Sequence, residues 1–227
     1  MANFRKSSKL RGRPFSARLR HMDDETLAAT RRYLHGAAEL LLAGPQHRAT
    51  GRIDLQVVPG GFATAATPAL RITGADLITA AGRVPLPGRS YADVATSAGI
   101  DAGPPVDVYT GGPGIGVDDV IRLDPEAVAT LLSALAVGDR ALRAFAAEHE
   151  PILWPEHFDV AVTVDEVNYG VSPGDGYSAV PYAYVGPFQA RQGSFWNAPF
   201  GAARPVAELG DADAVVGFFQ EGRGRSG

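Results

Sequence analysis

Short apolar runs separated by glycine and proline dominate the chain from residue 51 to residue 86. The runs cover 53–58, 62–66, 70–73, 76–79 and 83–86. Close turns join neighbouring antiparallel strands, whereas parallel strands need crossovers of roughly a dozen residues or more. The pattern therefore predicts an antiparallel meander.

Two segments have the spacing of long amphipathic helices. Over about 24–42, apolar residues recur at helical intervals after an acidic, cap-forming start, and Gly44-Pro45 is expected to end the helix. Over about 124–148, an Asp cap, a first-turn proline and a leucine-rich stripe predict the second helix. A short C-terminal helix is expected over 211–220.

The region after Pro151 is aromatic and strand-like. Apolar and polar residues alternate over 158–165, which is the two-residue period of a half-buried strand. Further strands are expected at 181–185 and 194–197. The glycine- and proline-rich stretch 99–118 shows no sustained period and is expected to form a long surface loop.

These elements predict an α+β fold, with antiparallel sheet or sheets, two long helices and a short C-terminal helix. We expect a single domain over 22–222 and a flexible C-terminus over 223–227. The first 20 residues hold seven Lys or Arg and no acid. Because such segments bury too little apolar surface to offset their ordering entropy, residues 1–21 are predicted to be a disordered basic tail.

Composition narrows the class of protein. Hydrophobic residues at 45% and charged residues at 20% are typical of a globular chain, and no apolar run approaches the roughly 20 residues of a membrane span. The chain has no cysteine, which excludes disulfides, thiolate metal sites and a cysteine nucleophile. Without an apolar secretory run near the start, the expected location is the cytoplasm.

The net charge of -4 conceals an uneven distribution. Without the seven basic residues of the tail, 14 basic residues face 25 acidic ones. An acidic body repels nucleic acid and anionic lipid, so neither is expected as its partner. The tail alone could bind phosphates in a salt-dependent way.

A glycine cluster at 111–116 has the flexibility of a phosphate-binding loop. A proline lies inside it, however, and the Lys-Ser/Thr ending of a P-loop is missing. A flexible loop is the favoured interpretation.

Candidate catalytic groups concentrate at 156–166. Strand alternation places His157, Asp159 and Asp165 on one face, where an imidazole and carboxylates could serve as a base with its orienting partner or as ligands of a divalent ion. Glu156 and Glu166 complete the set, although parity directs Glu166 to the other face. No cofactor is predicted, with a divalent metal left open. A hydrogen-bonded strand edge without function explains the same residues.

Aromatic and amide side chains crowd into 154–201 and could line a pocket for a sugar-like or planar ligand. The candidate ligand-binding residues are Trp154, Asn168, Tyr169, Asp175, Tyr182, Tyr184, Trp196 and Asn197. Core packing is the default explanation of the aromatics, and turn chemistry explains Asn168 and Asp175.

The segments LWPEHFDVAVTVDEVNYGVSPGD, PYAYVGP and FWNAPFGA carry a further signal, as does GPQHRATGRIDLQVVPGGFAT nearer the start. Together they resemble the signature of a family of uncharacterised actinobacterial proteins with no assigned activity. The resemblance covers most of the chain beyond the basic tail. It implies an actinobacterial origin, and it implies no catalytic residue, cofactor or partner.

Three functional hypotheses remain open. The first is a cytoplasmic protein that binds an unknown small molecule in an aromatic and acidic pocket within 154–201. The second is a hydrolase or isomerase that uses the His and carboxylate cluster, with or without a divalent metal. The third is a partner-binding protein with a basic tail.

Overall fold

A computed structural model of the chain describes residues 23–226. The basic tail predicted at 1–21 lies outside these residues. Within them the fold is α+β, as the sequence predicts.

The described strands form one antiparallel sheet in the order β10-β9-β8-β7-β6-β1-β2-β3-β4-β5. They are β1 (Leu55–Val58), β2 (Gly61–Thr64), β3 (Arg71–Thr73), β4 (Asp76–Thr79), β5 (Gly82–Pro85), β6 (Ile152–Trp154), β7 (Asp159–Val164), β8 (Val167–Ser172), β9 (Tyr182–Pro187) and β10 (Ala202–Pro205). The predicted meander, β1 to β5, is confirmed. Its first strand joins the C-terminal strands where Leu55 pairs with Leu153.

The helical segments lie before, between and after the two groups of strands. They are α1 (Asp24–Gly36), a π-helical segment (Ala37–Ala43), α2 (Gly44–Thr50), α3 (Tyr91–Ala98), α4 (Pro125–Phe145), α5 (Val206–Leu209) and α6 (Ala212–Ser226). None of the helices within 23–226 has both the length and the hydropathy that crossing a membrane requires.

The first helix continues through Gly44-Pro45, so the prediction that it ends there is wrong. In the π-helical segment, the Gly44 N–H donates to the carbonyl of Glu39, five residues back. The same pattern leaves the Leu40 carbonyl without a helical donor, because the residue five positions on is proline. Gly103 of the long loop supplies one, with its N–H nitrogen 3.0 Å from the Leu40 oxygen. The helix therefore passes the proline with the help of a distant hydrogen bond.

Helix α4 begins as predicted. Asp124 caps it by accepting hydrogen bonds from two backbone N–H groups, and Pro125 occupies the first turn. The helix ends at Phe145, three residues before the predicted end. The C-terminal helix α6 is longer than expected and includes 223–226, which were predicted to be flexible.

Two further segments differ from the sequence prediction. Residues 194–197 were expected to form a strand but contain none, and β10 is the strand that pairs with β9. The helix α3 was not predicted, although Ser90 caps it with a hydrogen bond from the Asp93 N–H and Gly99 ends it with φ of 66°. Residues 99–118 contain neither helix nor strand.

One face of β7, β8 and β9 is covered by α4 and α6. The α4 helix approaches the sheet so closely that a Cβ at Gly138 would lie 2.7 Å from the Cβ of Val171. A Cβ at Gly222 of α6 would lie 2.8 Å from a methyl carbon of Val185. Because side chains alternate along a strand, the residues between these core positions project from the opposite face.

Candidate functional site

A cavity of about 1120 Å³ lies over the face of β7, β8 and β9 that α4 and α6 do not cover. Helix α1 forms a second wall, and Gly112 and Pro113 of the long loop contribute to a third. Cavities that hold small organic ligands typically enclose roughly 300–1,000 Å³. This one is large enough for such a ligand.

Asp159 lies in the floor of the cavity, where β7 begins, and is 7% exposed. The Tyr184 hydroxyl of β9 donates a hydrogen bond to its Oδ2 atom. The phenol can cross the intervening strand because Gly170 has no side chain, since a Cβ there would lie 2.5 Å from the Tyr184 hydroxyl oxygen. The Oδ1 atom of Asp159 is buried and has no hydrogen-bond partner among the described residues.

The protonation of this pair follows from its burial. Burial raises the pKa of Asp159, and the hydrogen bond from Tyr184 opposes that rise in part. Burial also raises the pKa of Tyr184, and the nearby charge of Asp159 raises it further, so the phenol keeps its proton. A carboxyl group with a raised pKa and a free oxygen can accept a hydrogen bond from a ligand, or hold a proton for transfer.

Asp175 lies in the loop after β8, and its hydrogen bonds are made within the protein. Its Oδ1 accepts from the Tyr177 N–H at 2.8 Å and from the Ser178 N–H at 3.2 Å. Its Oδ2 accepts from the Tyr182 hydroxyl at 2.5 Å. Burial and this bond raise the pKa of Tyr182. Asp175 therefore shapes the wall of the cavity.

Arg31 supplies positive charge from α1. Its guanidinium donates to the carbonyl of Ala179 at 3.2 Å. Burial lowers the pKa of Arg31, and the charge of Asp175 opposes this. Arginine keeps its proton in proteins, so the group remains a cation beside the Asp175 turn.

His35 lies one helical turn after Arg31 and holds the turn before β7. Its Nε2 lies 2.6 Å from the carbonyl oxygen of Pro155, and its ring stacks on Phe158 at 5.4 Å between centroids. Burial lowers the pKa of His35 to about 4. The imidazole is therefore neutral at pH 7, with Nε2 as the donor to Pro155.

The cavity wall formed by the long loop is held at two points by the first helical segments. Arg32 donates to the carbonyl of Pro113 at 2.9 Å and also to the next carbonyl. Gly112 lies against Glu39 of the π-helical segment, where a Cβ would be 2.4 Å from Oε1. Burial raises the pKa of Glu39, which accepts a hydrogen bond from the Tyr109 hydroxyl at 3.1 Å.

Aromatic rings line the cavity beyond the Asp159 floor. Tyr177 and Phe200 pack edge to face with centroids 5.0 Å apart, and Phe200 stacks on Tyr182 at 6.1 Å. Phe188 also lines the cavity and is 63% exposed. The cavity therefore combines a polar floor with an apolar wall.

The structure brings together seven of the predicted site residues in the cavity lining. They are Glu156, His157, Asp159, Asn168, Asp175, Tyr182 and Tyr184. Glu156 and His157 belong to the turn before β7, not to a strand, and their Oε2 and Nε2 atoms are 3.8 Å apart. The exposed His157 is thus displaced from the strand face on which alternation placed it beside Asp159.

Six predicted site residues lie outside the cavity lining. They are Trp154, Asp165, Glu166, Tyr169, Trp196 and Asn197. Asp165 and Glu166 form the two-residue turn between β7 and β8, and Asp165 pairs with Arg223 at 2.9 Å. The structure does not bring Asp165 to His157 and Asp159, because the length of β7 separates them by about 20 Å.

The other four predicted site residues contact parts of the protein away from the cavity lining or lie at the surface. Tyr169 projects from the helix-covered face and is buried among core rings. Trp196 packs edge-on against the preceding phenylalanine, and Asn197 bonds both backbone groups of Ala203. Trp154 is 37% exposed.

The contribution of α1 was missed from the sequence. Arg31 and His35 are four residues apart and so share one face of the helix. Their spacing within the predicted helix is a signal that could have identified them. Nothing local to this helix indicates that the face would lie against strands more than a hundred residues later. In the described part of the chain, no group of three or more His, Cys, Asp or Glu could hold a metal ion.

Comparison of the chain with protein-family models, with curated proteins and with solved structures gave no match. The resemblance to an actinobacterial family therefore stays a prediction.

Proposed function

We propose that the protein is a cytoplasmic small-molecule-binding protein whose ligand occupies the cavity over β7, β8 and β9. The observation that carries this proposal is the unpartnered Oδ1 of Asp159. Buried polar atoms in folded proteins nearly always have a hydrogen-bond partner, because burying such an atom without a hydrogen bond costs about 1–3 kcal/mol. A ligand that places a donor group or a positive charge beside this carboxyl group would reduce the cost.

The lining supports the proposal in a second way. Ligand cavities typically combine apolar and aromatic surface with a few placed polar groups. Here aromatic rings such as Tyr177 and Phe200 surround a floor in which Tyr184 fixes the orientation of Asp159. A ligand with an apolar or planar body and at least one donor fits this arrangement.

Binding is better supported than the hydrolase or isomerase hypothesis. Of the predicted catalytic groups, Asp165 and Glu166 lie in the turn at the far end of β7. His157 is exposed, lies 3.8 Å from Glu156, and acts on Asp159 through its charge without a hydrogen bond to it among the described residues. Proton transfer would require Asp159 and His157 to act as a pair, and no hydrogen bond among the described residues joins them.

A cavity-filling substitution tests the proposal. Ala29 is an exposed residue of α1 that lines the cavity, so Ala29→Trp should obstruct it at little cost to folding. Thermal shift with a panel of metabolites and sugars would identify binders, since a ligand at 100 times its Kd adds about 2.7 kcal/mol to stability. We expect Ala29→Trp to abolish such shifts.

Ala144→Trp is the matched control, because Ala144 is an exposed residue of α4 outside the cavity lining. It should keep every shift seen with the unmodified protein. A panel without any binder, or binders that Ala29→Trp leaves unaffected, would contradict the proposal.

A further inference from the structure

The charges around the cavity bear on the class of ligand. Four carboxyl groups line it, against two guanidinium groups and the imidazoles of His35 and His157. The carboxyl groups belong to Glu25, Glu156, Asp159 and Asp175, and the guanidinium groups to Arg31 and Arg32. His35 is neutral at pH 7, because burial lowers its pKa to about 4. The lining therefore favours a positively charged ligand over an anion.

The two arginines are already engaged by protein acceptors. Arg32 bonds two carbonyls of the long loop, and Arg31 bonds the carbonyl of Ala179 with Asp175 nearby. Asp175 itself accepts three hydrogen bonds from the protein. Asp159 differs from all of these, since its Oδ1 is the one buried carboxyl oxygen within 23–226 that has no donor.

Aromatic rings lie near this acceptor. Tyr184 bonds the other oxygen of Asp159, its ring lies 6.3 Å from that of Tyr182, and both rings approach Phe200. The faces of aromatic rings attract cations, and the attraction grows when water is excluded. A carboxylate beside a group of rings is a suitable environment for an organic ammonium ion.

We propose that the cavity selects a primary ammonium group carried on an aromatic or aliphatic body, with its charge beside the carboxylate of Asp159. This inference rests on the proposed binding function. The ammonium would pair with the buried carboxylate, and the apolar body would lie against the rings of Tyr177 and Phe200. The size of the cavity requires such a body, because an ammonium group alone would leave most of it empty.

Three probes with one carbon skeleton test the charge preference. They are 2-phenylethylamine, 2-phenylethanol and phenylacetate, which are cationic, neutral and anionic at pH 7. We expect the amine to bind about tenfold or more tightly than the alcohol, and phenylacetate to bind most weakly. Hexylamine and hexanol, compared in the same way by NMR titration at millimolar concentrations, show whether the preference depends on the ring.

Asp159→Asn should remove the preference, because the amide keeps the size of the side chain and its acceptor for Tyr184 but loses the charge. Asp165→Asn is the matched control, since Asp165 lies in the β7–β8 turn outside the cavity lining. It should leave the ratio of amine to alcohol affinities unchanged.

The pH dependence gives an independent measurement. Burial raises the pKa of Asp159, so acidification should protonate it and weaken amine binding but not alcohol binding. The titratable and charged groups that line the cavity with Asp159 include Tyr184 and Tyr182 on β9, Asp175 after β8, Glu156 and His157 in the turn before β7, and Arg31 and His35 on α1. His157→Gln should keep the pH effect if Asp159 is its source.

The outcomes separate the two proposals. Equal affinities for amine and alcohol, or tightest binding of phenylacetate, would overturn the ammonium inference while leaving ligand binding intact. Amine binding that survives unchanged in Asp159→Asn would also overturn it. If neither amine binds and Ala29→Trp changes no shift in the ligand panel, both the inference and the proposed function fail.

Discussion

At the level of a single residue, Asp159 destabilises the fold at the position where we propose that a ligand binds. A buried carboxylate with only one of its oxygens bonded destabilises the folded state, because its lost hydration is not replaced. Gly170 and Tyr184 maintain this geometry from the neighbouring strands. Such an arrangement is typical of a binding residue, since functional sites keep groups that selection for stability alone would replace.

Asp159→Asn is therefore expected to stabilise the unliganded protein. The substitution removes the desolvated charge but keeps an oxygen for Tyr184, so the free energy of unfolding at pH 7 should rise by about 1 kcal/mol. Urea denaturation measures the change. Asp165→Asn, which breaks the exposed pair with Arg223, should instead lower stability by less than about 1 kcal/mol.

The stabilisation by Asp159→Asn should depend on pH. The pKa of Asp159 in the folded protein is raised above its ordinary value of 3.8, so the folded protein holds this proton more tightly than the unfolded chain. The contribution of Asp159 to stability is then fully present below pH 3.8 and is lost as pH rises through the folded pKa. The advantage of the variant should be largest at neutral pH and vanish near pH 4. A difference in the free energy of unfolding that does not change with pH would contradict this account. His35 titrates in both proteins, so its contribution does not affect the difference between them.

Some residues of the candidate site could be selected from the sequence, either from strand parity or from the clustering of aromatics. Asp159, Tyr182 and Tyr184 lie on one sheet face in the structure, and the sequence marked each as a candidate. His157 was misplaced because Phe158 adopts a positive φ of 56°, which interrupts the alternation. A phenylalanine rarely adopts this conformation, and the local sequence gave no sign of it.

At the scale of elements, the π-helical segment that follows α1 contacts the long loop. Its position depends on the contact between Gly44 and Gly103, where a Cβ on Gly44 would lie 1.7 Å from the Gly103 oxygen. The same loop residue donates to the Leu40 carbonyl. Because the loop continues to Gly112 and Pro113, this contact also helps to position a wall of the cavity.

Gly44→Ala should displace the loop from the helix. The added methyl cannot fit against the Gly103 carbonyl, so we expect a loss of about 1–3 kcal/mol in the free energy of unfolding and faster hydrogen exchange at Gly103. Gly217→Ala in α6 is the control, because nothing lies within 4 Å of a Cβ there. Alanine should stabilise that helix by up to about 1 kcal/mol. Equal effects of the two substitutions would show that the contact at Gly44 has no special importance.

Elements whose signals are local could be predicted, and those that depend on distant contacts could not. The meander follows from its turns, and α4 follows from its Asp124 cap. The end predicted at Gly44-Pro45 followed sound local rules but failed, because Gly103 satisfies the carbonyl that the proline leaves open. The short helix α3 had local signals at Ser90 and Gly99 that could have identified it.

At the scale of the whole molecule, one core extends through both groups of strands. The ladder between β1 and β6 is short, with Leu55 opposite Leu153, and both side chains are buried. Helix α4 strengthens this junction because it contacts β1 on one side and β7 and β8 on the other. The sequence predicted a strand for Leu55, in the run 53–58, but none for Leu153, and periodicity carries no information about which distant strands pair.

Leu153→Ala should therefore weaken the whole protein, not only the C-terminal strands. Removing a fully buried leucine costs about 2–5 kcal/mol, and the lost packing lies at the junction of the two groups. The fluorescence of Trp154 and Trp196 reports on the C-terminal part, whereas hydrogen exchange of β2 to β4 reports on the meander. In a single cooperative unit, both should lose stability equally. If exchange in the meander were unchanged while the fluorescence transition moved to lower urea, the two groups of strands would be separate folding units despite their shared sheet.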